Sequence, residues 1–187
     1  IGQLIYVEKS EALQSAIRIG KPTINRLHPD YPALQFVNTL LGGFFGSRLM
    51  RNIREDKGYT YSIGSAVGTL QYGGFMTIAT EVGVDVTSKA LVEIEKEIEI
   101  LRTNLASEEE LNLVKNYMSG SMLGSLESIF SHADKFKNVM LSKMDLTYYS
   151  NYMTVINAMT AQQVKDIAIK YIDYNEMIKI VVGKMNG

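Results

Sequence analysis

Cysteine is missing from all 187 residues. That excludes a disulfide frame and any thiolate metal site, and it fits cytoplasm and bacterial periplasm equally well. Histidine is nearly missing too: only His28 and His132 occur, neither with a His or Glu at metal-ligand spacing. A zinc site needs about three converging protein ligands, so both histidines read as solvated and no metal is expected in this chain. No charge of one sign dominates, since the net charge is −1. Such a balance offers no footprint for nucleic acid or an anionic membrane surface. No apolar run approaches the roughly 18 residues of a membrane span, and no signal peptide is visible. The three prolines all fall between Lys21 and Pro32, which reads as a loop. The sequence opens on Ile1 rather than Met and is expected to be a processed product or a piece of a longer chain.

Against these absences stands a content of 46% apolar residues, enough for the core of one domain over residues 1–187. Gln3–Lys9 and Leu13–Gly20 read as strands. In the second, Leu13, Ser15, Ile17 and Ile19 share a face, with Gln14 and Arg18 opposite. Leu34, Val37, Leu40 and Leu41 have helical spacing, stopped by Gly42-Gly43. Ser47–Asp56 reads as a short helix with Ser47 as N-cap, ended by Gly58. Residues 59–70 and 73–83 pair as a hairpin turning near Gln71–Gly74. Glycines 64 and 68 in its first strand mark a close approach of another backbone or a ligand. Helices follow over Val86–Leu105, from Ser107 with a Ser107/Glu110 capping box, over 132–143 and 146–159, and from Thr160 with a Thr160/Gln163 box. Met177–Gly183 is a last, largely buried strand. This order predicts an α/β (α+β) two-layer sandwich, with a mostly antiparallel or mixed sheet of about five strands and helices on one face.

Little in the chain carries chemistry. Glu93–Glu99 spaces acids along a helix and reads as a solvated face; the acids at 108–110 complement a helix start. The glycine turn before Ser47 offers N–H groups to an anion, but no G-K-S/T follows and the preceding segment reads as helix, not strand. Arg54 and Tyr61 remain, with six residues between them and Gly58 as the turn. A helix end folding back through glycine into a strand could bring both to one spot. There the arginine fork and the phenol would suit peptide carbonyls, a carboxylate or a developing oxyanion. By spacing alone, an ordinary helix-end arginine and an ordinary strand tyrosine are the better reading.

The stretch Leu41–Ser62 decides more. Gly42-Gly43, Ser47-Arg48-Leu49, Ile53-Arg54-Glu55, Gly58 and Tyr61-Ser62 together resemble the C-terminal half of the pitrilysin-like (insulinase-type) zinc peptidases. Agreement is looser over the rest of the chain. The resemblance implies a LuxS/processing-peptidase-like sandwich and a domain that supplements a homologous half carrying zinc on H-x-x-E-H. That half would be in the same polypeptide or in a separate subunit. It further implies that Arg54 holds peptide backbone or orients Tyr61, and that Tyr61 donates to the scissile carbonyl as it becomes an oxyanion. Tyr59, on the same strand face, is the rival tyrosine. Gly42, Gly43 and Gly58 would be structural turns. The sequence departs from a complete peptidase in lacking H-x-x-E-H, so alone it is expected to hold no zinc and cleave nothing. An exposed half-interface would also allow a homodimer. The alternative is a structural or assembly subunit of the same fold, like the respiratory-complex core proteins.

Overall fold

A computed structural model describes residues 2–185. Five strands, β1 (Leu4–Glu8), β2 (Gln14–Thr23), β3 (Ile63–Thr69), β4 (Gly74–Gly83) and β5 (Ile178–Gly183), form one sheet in the order β1-β5-β2-β4-β3. β1 runs parallel to β5 and the remaining pairs are antiparallel, so the sheet is mixed. Six helices complete the order: α1 (Tyr31–Asn38), α2 (Thr87–Thr103), α3 (Glu108–Gly124), α4 (Ile129–Leu141), α5 (Tyr148–Ala158) and α6 (Ala161–Tyr171).

Strand alternation makes the layers. Ile17 and Ile19 of β2, Ile63 and Val67 of β3, Met76, Ile78 and Val82 of β4 and Val181 of β5 all point into one buried face. They meet Leu34 and Val37 of α1, Ile94 and Ile98 of α2, and Val164 and Ala168 of α6 in a single core. The opposite row holds Arg18, ion-paired to Glu81, and the exposed Ile178 and Ile180. β5 is therefore half open rather than largely buried as its composition suggested. Helix starts follow the predicted chemistry: both boxes form, Ser107 with Glu110 and Thr160 with Gln163.

Boundaries moved where tertiary pairing overrode local signals. β2 runs on through Pro22 to Thr23. Its pairing with β5 ends at Gly20, so Pro22 lies where the strand has one neighbour only and a missing N–H is tolerated. Leu13 precedes the strand and is exposed, and Leu105 lies beyond the end of α2, also exposed. α4 begins three residues early, because Ser128 caps it by accepting the Phe130 N–H.

Candidate functional site

The glycine-rich stretch is built by an unusually wide helical turn. After α1 the chain continues as a π-helical segment, Thr39–Gly43, and Phe44 ends it with extended backbone at φ −155° and ψ 174°. The helix does stop at the glycine pair, but neither glycine makes the turn. Gly42 is needed for closeness: a Cβ there would lie 2.7 Å from the Ser65 backbone nitrogen. Segment and strand β3 are locked together at that point, with the Ser65 hydroxyl donating to the Asn38 carbonyl at 3.2 Å. Of the three glycines expected to turn the chain, Gly58 does so, at φ +65°.

Ser47 also differs from expectation. Its carbonyl accepts the Arg51 N–H at 3.0 Å, which places it at the helix start. Its hydroxyl, however, is buried and has no hydrogen-bond partner among the described residues, so the side chain caps nothing. The tight turn in which the Ser47 N–H bonds the Phe44 carbonyl has carried it into the core. Arg48 beside it makes a bidentate pair with Glu110, Nε to Oε1 at 2.7 Å and Nη2 to Oε2 at 3.0 Å. Burial pushes the Glu110 carboxyl up, but the Arg48 hydrogen bonds and the Ser107 N–H outweigh it, and the net direction is down. One carboxylate thus ties the Ser-Arg-Leu motif to the start of α3.

Arg54 lies in the last turn of a second π-helical segment, Met50–Asp56. Gly58 then reverses the chain, and the Tyr59 N–H reaches back to the Ile53 carbonyl at 2.9 Å. Tyr61 was expected in a strand; it stands instead in a bend two residues before β3. The backbone there is fixed from both sides. The Thr60 hydroxyl donates to the Glu81 carbonyl at 2.6 Å, and the Thr80 hydroxyl donates to the Ser62 carbonyl at 2.9 Å. The Tyr61 side chain is free, at 87% exposed. Tyr59 shares no strand face with it and packs half-buried against the core.

Arg54 and Tyr61 do come together: the guanidinium carbon lies 5.2 Å from the Tyr61 ring centroid. A third residue, which the sequence reading missed, joins them. The same carbon lies 4.5 Å over the ring of Phe45, itself 61% exposed. The only hint in the sequence was an apolar pair, Phe44-Phe45, flanked by glycines. Among the described residues Arg54 has no ion pair and no side-chain hydrogen bond. The site therefore offers N–H donors unpaired among the described residues and a phenol at the surface, with the Phe45 ring beside them.

The acidic helix is less solvated than its spacing suggested. Glu93 and Glu97 accept from the Asn52 amide at 3.0 and 2.6 Å and line a polar cleft of about 470 Å³ with Arg48 and Lys57. The Asn52 hydrogen bond holds the Glu93 carboxyl below its usual range. His28 stands edge-on to Tyr171, and His132 Nε2 lies 2.8 Å from the Leu126 carbonyl. Among the described residues no three metal-ligating side chains converge.

The model of one family, described as the peptidase M16 inactive domain, matches residues 2–118. A Bacillus subtilis protein named uncharacterized zinc protease YmxG is 29% identical over 161 residues, 86% of this chain and 39% of that protein. A non-peptidase homolog of the same name from Helicobacter pylori is 22% identical over 171 residues, 91% of this chain and 40% of its own. The chain thus spans about two fifths of the length of these curated relatives. A crystal structure titled as a peptidase M16 inactive domain from Pseudomonas fluorescens superposes with a TM-score of 0.91 at 24% identity, over all of this chain and 44% of that one. The family model covers β1 to β4, the glycine-rich stretch and the Arg54–Tyr61 turn in one continuous match. By that match the chain belongs to the inactive-domain family of the M16 zinc peptidases.

Proposed function

We propose that this domain is the non-catalytic half of a zinc-dependent peptidase, and that Arg54 and Tyr61 bind peptide at a zinc site in a homologous partner half. The observation that carries the reading is Arg54: a half-buried residue with no ion pair among the described residues, its guanidinium resting on two rings. Arg48 is different, being paired in bidentate fashion and nearly buried; Arg26 and Arg51 also lack an ion pair among the described residues, but neither lies over an aromatic ring as Arg54 does. A cation left unpaired next to a free phenol is suited to carbonyl oxygens that gain negative charge during hydrolysis.

In this reading the Tyr61 hydroxyl donates to the scissile carbonyl oxygen as it becomes an oxyanion. Arg54 holds the neighbouring peptide backbone. The rigid backbone at Thr60 and Ser62 sets where the phenol can reach. Polarisation of the carbonyl and of the attacking water belongs to the zinc of the partner half, held on H-x-x-E-H. The share of the curated relatives that this chain spans leaves room for such a half in the same polypeptide, and a separate subunit would serve equally.

The test is turnover of a quenched fluorescent peptide by the full-length protein or the assembled pair. Tyr61→Phe is expected to lower kcat by about 10²–10³-fold, the loss typical of one oxyanion donor. Arg54→Ala should lower kcat/KM with unchanged circular dichroism. Wild-type rates for both variants would overturn the proposal. They would favour a structural or assembly subunit, to which the name of the Helicobacter pylori relative, a non-peptidase homolog, already points.

A further inference from the structure

Two phenylalanines stand side by side between Gly43 and Gly46, and they do different work. Phe44 stacks on Tyr117 of α3, with centroids 4.6 Å apart and an interplanar angle of 25°, and packs against the core. Gly46 keeps that ring in place, since a Cβ there would come within 2.8 Å of it. Phe45 points the other way, into solvent, and its ring lies under the Arg54 guanidinium.

We infer that Phe45 is a positioning residue: it holds the Arg54 guanidinium, and through it Tyr61, in the orientation that meets peptide. The inference rests on the reading given under Proposed function. Its physical basis is the freedom of an arginine without an ion pair. A free arginine side chain carries considerable rotamer entropy, which must be lost before it can bind in one orientation. No acid among the described residues restrains Arg54. A carboxylate could restrain it, but would occupy the very N–H donors that a peptide needs. An aromatic ring attracts the cation through its face and accepts none of those hydrogen bonds, so the donors stay available. The loop that carries Phe45 is fixed by the Phe44–Tyr117 stack, and the segment that carries Arg54 is fixed by the buried Ile53 and by the Asn52 amide on Glu93 and Glu97. The clamp thus joins two anchored elements, and its loss should free the side chain without loosening either.

The test is a double-mutant cycle on peptide turnover by the full-length protein or the assembled pair, with an independent magnetic-resonance readout. Phe45→Ala is expected to lower kcat/KM by about twofold to fivefold, the worth of an exposed cation–π contact. It should lower it no further when Arg54 is already alanine. Phe45→Trp should restore the wild-type rate, and the thermal midpoint should hold in each. In parallel, the Arg54 Nε–H proton, which keeps the Tyr61 ring nearby, should change its ring-current shift in Phe45→Ala. Additive losses in the cycle would make Phe45 an independent contact and overturn the inference. So would an unchanged Arg54 Nε–H signal in Phe45→Ala. If Arg54→Ala itself leaves turnover unchanged, the peptidase reading falls, and the Nε–H shift alone then decides whether Phe45 orders the arginine.

Discussion

Replacing Arg48 by Met keeps the bulk of the side-chain stem and removes the charge. Arg48 is 11% exposed and Glu110 21%, so the carboxylate left behind is largely out of water. Removing one partner of a buried ion pair costs about 3–5 kcal/mol. Glu110 keeps its Ser107 N–H bond and some solvent, so roughly 2–3 kcal/mol is expected here. In a domain of this size that is a drop of roughly 4–12 °C in Tm. The pH dependence identifies the cause. The folded Glu110 carboxyl lies below its ordinary 4.5, so the stability it contributes is present above that value and is lost as pH falls through the depressed folded one. Urea denaturation of wild type and Arg48→Met should therefore differ fully at pH 7 and converge toward pH 3. A difference that stays constant down to pH 3 would show that packing, not charge, was lost, and would refute the reasoning.

Three further outcomes follow from the same geometry. Gly42→Ala should cost about 1–3 kcal/mol in urea denaturation, because its Cβ meets the Ser65 backbone at 2.7 Å. Gly58→Ala should cost only about 1–2 kcal/mol, from the left-handed backbone alone, since nothing lies within 4 Å of its Cβ, and Gly58→Asn should cost less. Burial, reinforced by the charge of Glu95, pushes the Tyr174 phenol up to about 12 from its ordinary 10.0. Its neutral form is favoured by folding, so stability should decline as pH rises from 10 toward 12 and urea midpoints at pH 9 and 11 should differ less in Tyr174→Phe; Tyr148, raised for the same reason, keeps part of the slope.

What could be read from the residues depended on how local the cause was. The capping boxes at Ser107 and Thr160 are written within four residues, and both formed as expected. The alternation of Ser15, Ile17 and Ile19 fixed a sheet face because the side-chain period of a strand is two. The Arg54–Tyr61 approach was legible through the Gly58 reversal, which needs only the segment between them. Phe45 was not, because its meeting with Arg54 depends on Phe44 finding Tyr117 in α3, some seventy residues away. The same holds for Ser47: a good cap by type, it was turned inward by the loop before it. Tyr61 looked like a strand residue by composition, but Thr60 and Thr80 bend the chain there.

The place of β5 has a consequence for how the molecule is made. This strand is the last of the five in sequence, yet it lies between β1 and β2. Until it emerges during synthesis, β1 has no neighbour to pair with and β2 presents a bare edge on that side. The earlier antiparallel trio β2-β4-β3 can assemble with its helices as translation proceeds, whereas the register of Leu4 with Lys179 closes nearly the whole chain at once. A ribosome stalled before residue 178 would therefore release a domain with an apolar first strand hanging loose beside an open edge. That is the kind of species that chaperones hold and that other chains can pair with.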